Sequence, residues 1–80
     1  METSLTFSEW VHRYGGNPQL CQKHALEFRR CLRECGFRFP GGFGPRSFLD
    51  RKEFMAVYRA TMDNPEKWTG LRELFNFVKR

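Results

Sequence analysis

The chain has 80 residues, of which 40% are apolar and 16% aromatic, with nine Phe and a net charge of +5. That length makes one domain with a small core, and the aromatic content excludes a disordered chain. No apolar run is long enough to span a membrane and no charged-then-apolar leader opens the sequence, so a soluble cytoplasmic protein is expected.

Thr6-Phe7-Ser8-Glu9 has the form of a capping box, with Thr6 as N-cap and Glu9 three residues on. Leu5 before the cap and Trp10 beyond it are placed for a hydrophobic staple. Phe7, Trp10, Val11 and Tyr14 then recur at helical spacing, and Gly15-Gly16 ends this first helix. Asn17-Pro18 opens the second, Asn as cap and Pro at the first helical position. No Gly or Pro interrupts the chain until Gly36, so the spacing predicts one continuous helix over 18–35. Cys21, His24, Ala25, Phe28, Cys31, Leu32 and Cys35 share its inward stripe. Gln22, Lys23, Arg29, Arg30 and Arg33 share the outward one.

Residues 36–48 contain four Gly and two Pro, which forbid a regular helix. Phe37-Arg38-Phe39 alternates, and pairing with Phe43 or with Ser47-Phe48 would make a short β-hairpin. Asp50 caps the third helix with Glu53 three residues on, and Leu49 and Phe54 repeat the staple. Phe54, Val57, Tyr58 and Thr61 face inward there. Asn64-Pro65 starts the fourth helix, on which Trp68, Leu71, Leu74, Phe75 and Val78 face inward. Gly70 weakens that helix by about 1 kcal/mol relative to Ala, which moves its expected start to Thr69 after a single turn at 65–67.

The expected fold is therefore all-α over residues 1–80. Four helices form two helical hairpins joined by the Phe/Gly/Pro-rich segment. The expected core is Trp10, Val11, Tyr14, Cys21, Phe28, Leu32, Phe54, Val57, Tyr58, Trp68, Leu71, Phe75 and Val78. No motif is specific enough to name a family.

Cys21, His24, Cys31 and Cys35 are the ligand types of a zinc site, but on one helix Cys21 and Cys35 lie about 21 Å apart. A tetrahedral ion needs its ligands within a few ångströms of one another, so no metal is expected. Free buried thiols in a reducing compartment account for three cysteines. His12 and His24 have no nucleophile or carboxylate at a telling spacing. Gly41-Gly42-Phe43-Gly44-Pro45 lacks the Lys-Ser/Thr and following helix of a phosphate loop. No catalytic residue, enzyme activity, cofactor or small-molecule substrate is expected.

The charge is concentrated in the middle of the chain. Residues 21–38 carry five basic and two acidic groups, and residues 39–60 carry four and two. Guanidinium groups suit phosphate oxygens, so an anionic partner, DNA or RNA, is the first expectation. The candidate contacts are Lys23, Arg29, Arg30 and Arg33 on the second helix, Arg38 and Arg46 in the central segment, and Lys52 and Arg59 on the third helix. Ala56 leaves a flat strip between the last two. Arg beside exposed Phe in residues 37–48 also suits stacking on unpaired bases. The alternative is an adaptor or inhibitor that docks on an acidic protein surface through Leu26, Phe37, Phe43 and Phe77, because aromatics and Arg also anchor protein interfaces. A small regulatory module fits either reading.

Overall fold

The computed structural model describes residues 4–44 and 46–75. Phe77 and Val78 lie outside the described residues.

Among the described residues the chain is mostly helical, with a two-stranded sheet. The elements in order are β1 (Leu5–Thr6), α1 (Phe7–Arg13), α2 (Ala25–Glu34), β2 (Phe48–Leu49), α3 (Arg51–Asp63) and α4 (Thr69–Phe75). Both capping boxes form. Thr6 Oγ1 accepts from the Glu9 amide while Glu9 Oε1 accepts from the Thr6 amide, and Asp50 and Glu53 do the same at α3. Residues 65–68 make a turn, with Trp68 N donating to Asn64 O, so α4 starts at Thr69 as Gly70 suggests.

Two expectations are corrected. The continuous helix over 18–35 does not form. Asn17 and Pro18 do start a helical segment, but it is a single 3₁₀ turn, Pro18–Leu20, followed by turns at 21–24. α2 begins only at Ala25, after His24 at φ −106° and ψ 14°. The physical reason is long-range. His24 Nε2 lies 2.8 Å from Glu73 Oε1 on α4, and Asn17 N donates to Leu74 O at 2.8 Å. These contacts tie both ends of residues 17–24 to the adjacent residues Glu73 and Leu74 of α4. Among the described residues the proposed hairpin within 37–48 is also absent. Phe48–Leu49 pairs instead with Leu5–Thr6, antiparallel, Leu5 opposite Leu49 and Thr6 opposite Phe48.

α2 packs on both α3 and α4, and α1 closes the core beside the sheet. Phe54 is its hub. Its ring lies 5.2 Å from Trp10, 5.1 Å from Tyr14, 6.2 Å from Phe28 and 5.6 Å from Phe75, so all four helices or their caps meet on one side chain. Trp10 Nε1 donates to Leu49 O at 2.8 Å, which ties α1 to β2 across the buried interior. Of the expected core, Tyr14 and Tyr58 are half-buried at its edge and the other described members are buried. Phe7, Cys31, Leu49, Thr61 and Leu74 are buried too. Phe7 joins because the helix begins on it, facing Phe28 at 4.0 Å between ring centres. No helix among the described residues is long and apolar enough to cross a membrane.

Candidate nucleic-acid interface

α2 ends in a complete Schellman cap. Gly36, at φ +96°, donates its amide to Arg33 O, and Phe37 N donates to Leu32 O at 3.0 Å. Both bonds satisfy carbonyls that the helix end leaves open. The cap turns the chain sharply and fixes Phe37 over the end of α2, where it is half-buried against the core.

Phe37 is the ridge between two grooves. On one side Arg29, Arg33, Phe37, Arg38, Phe39 and Pro40 line a groove of about 510 Å³. On the other, Cys35, Phe37, Arg51, Lys52, Met55, Ala56 and Arg59 line one of about 570 Å³. The first is built from the outer face of α2 and the segment that leaves it. The second follows α3. Lys52, Ala56 and Arg59 recur at helical spacing, so the small Ala side chain keeps the floor low between two cations. Cys35 Sγ reaches Ala56 O at 3.8 Å and seats the end of α2 on this floor.

The six cations of these grooves are Arg29, Arg33, Arg38, Arg51, Lys52 and Arg59. None makes an ion pair among the described residues. Three acidic groups on the same two helices are engaged elsewhere. Glu53 caps α3, Glu34 pairs with Lys67, and Glu27 faces His24 Nδ1 at 3.9 Å. Unpaired cations that line adjoining concave walls focus a positive potential on their contents.

The remaining basic candidates are placed differently. Lys23 lies 3.9 Å from Glu73 Oε1, on the segment that has left the axis of α2. Arg30 stacks its guanidinium 5.1 Å over the ring of Trp68, and Lys67 sits 5.1 Å from the same ring. Arg46 lines a separate groove with Gln22, Gly44 and Ser47. Arg51 was not among the sequence candidates. Its signal was present in the four-residue spacing that puts Arg51, Met55 and Arg59 on one strip of α3.

Of the apolar candidates, Phe43 packs inward. It stacks on Phe28 at 5.4 Å and meets Phe7 at 5.8 Å, while Phe39 edges onto it at 5.3 Å. This aromatic column holds the central segment to the core. Leu26 is 78% exposed on the outer side of α2, and Phe48 is 65% exposed because Leu49 takes the inward position of β2.

The thiols also differ from one another. Cys21 and Cys31 are buried, whereas Cys35, at the helix end, is exposed rather than turned inward. Burial pushes the Cys31 thiol up to about 12, with help from neighbouring Cys35, Glu34 and Glu27, and burial also raises Cys21. Both are therefore protonated, inert packing groups at neutral pH. Among the described residues no three His, Cys, Asp or Glu side chains are grouped so that they could hold one metal ion. No family model, curated protein or solved structure matches this chain.

Proposed function

We propose that this chain is a small nucleic-acid-binding module, and that the two grooves beside Phe37 receive the sugar-phosphate backbone. One observation carries the reading: six cations, drawn from α2, α3 and the segment between them, line adjoining grooves with no carboxylate partner among the described residues. Leaving such charges close together is costly in self-repulsion, and a polyanion relieves that cost by releasing its own counterions. Arginine forks bind phosphate oxygens in pairs, so the contacts give affinity and register without reading sequence. The break before Ala25 takes Lys23 away from this face. It leaves Arg29 and Arg33 on one ten-residue helix.

The test is fluorescence anisotropy with labelled DNA and RNA over a series of salt concentrations. The logarithm of affinity is expected to fall linearly with the logarithm of salt. Reversing charge at Arg29, Arg33 and Arg59 together should abolish binding, and unchanged binding would sink the reading. A second reading, docking on an acidic protein, is favoured by Leu26, 78% exposed on the helix that carries Arg29 and Arg33. A pull-down from lysate with and without nuclease separates the two. Capture that survives nuclease and is lost on Leu26→Ser favours the protein.

A further inference from the structure

Resting on the reading above, we infer that the nucleic acid is single-stranded and that Phe37 is the platform on which one of its bases stacks. The ring of Phe37 differs from its neighbours. Phe7, Phe28, Phe39, Phe43, Phe54 and Phe75 each pack against at least one other aromatic ring. Phe37 meets none among the described residues, yet it is half-buried and walls both grooves. The ring thus packs on the core and is still accessible from both grooves. The Schellman cap fixes its backbone, so little ordering entropy remains to be lost on contact.

Charge and shape then select the occupant. A duplex turns its base faces against one another and presents only edges and phosphates, so a ring standing between two cationic walls would have no face to meet. An unpaired strand offers both. Its backbone can run from the Arg29–Arg33–Arg38 groove to the Arg51–Lys52–Arg59 groove, with a base laid on Phe37 at the crossing. Each groove, at about 510 and 570 Å³, has the size of sites that enclose small organic groups. A positively charged track interleaved with an aromatic platform is the arrangement by which unpaired strands are held without sequence preference.

The experiment titrates the full chain with a short fluorescein-labelled oligothymidylate and with a duplex of equal length. The single strand should bind more tightly. Phe37→Leu keeps an apolar anchor over α2 and removes the π-face. It should weaken single-strand binding about tenfold while leaving the salt slope unchanged, because stacking carries no counterions. Phe37→Trp should restore or exceed the original affinity, and it serves as the test if leucine disturbs the cap. Duplex binding as tight as single-strand binding overturns the inference and leaves the parent reading standing. So does single-strand affinity that neither substitution changes. Absence of binding to either probe removes both.

Discussion

Gly36 is the residue on which the groove geometry turns. Its φ of +96° lies where a side chain would collide with the carbonyl that follows, at a cost of about 1–2 kcal/mol. Gly36→Ala is therefore expected to lower stability by about that amount in urea denaturation, although a Cβ there would meet no other atom within 4 Å. Because the same turn places Phe37, single-strand affinity should fall with it. Glu73 gives a pH prediction. Its hydrogen bond from His24, and then the nearby Lys23, hold its carboxyl below the ordinary carboxylate range. A carboxylate lowered in the folded state stabilises fully above its unfolded value and loses that contribution as pH falls through the folded one. The difference in urea midpoint between the native chain and Glu73→Gln should thus be present near neutrality and shrink below about pH 4. A difference that persists unchanged at that acidity would mean that the carboxylate is not what holds α4 to His24.

The starts of α1, α3 and α4 were legible in the residues because they are local. A Thr or Asp followed three positions later by Glu closes both halves of a capping box within four residues, and nothing distant has to be known. Gly70 likewise marked the start of α4. What the periodicity of residues 18–35 could not show was the pull of α4 on His24, or that Leu5 would pair with Leu49 instead of a nearer partner. Both are contacts between segments far apart in sequence, and tertiary contacts override propensity. The seam between α2 and α4 also changes the meaning of Gly70. A Cβ there would collide with Glu27 Oε1 and come within 2.8 Å of His24 Nδ1. Gly70→Ala should therefore fail to deliver the gain of about 1 kcal/mol that helix propensity promises. In a Glu27→Ala background part of that gain should return, and a double-mutant cycle by chemical denaturation measures the coupling. Additive effects would show that Glu27 swings aside at no cost.

The basic surface was half legible for a related reason. Spacing puts Arg29 and Arg33 on one face and Lys52 with Arg59 on another, but only the packed chain brings the two together around Phe37 and draws Arg30 onto Trp68. That assembly holds only if the core behaves as one cooperative unit, and the three thiols report on this. Cys35 is exposed, while Cys21 and Cys31 are buried with raised thiol pKa values. Under native conditions a disulfide reagent should therefore modify one thiol quickly and two slowly. The slow pair samples different parts of the molecule: Cys21 sits in the irregular segment before Ala25, and Cys31 is buried within α2, the helix that packs on α3 and α4. If Phe54 welds all four helices into a single unit, both slow thiols should open with the full free energy of unfolding. Their rates should then rise together with urea, at the slope of the equilibrium transition. Faster reaction of Cys21 with a shallower slope would instead show that residues 17–24 open on their own. The break before α2 would then be a separate element of local instability, and the grooves on its far side would keep their shape while it opens.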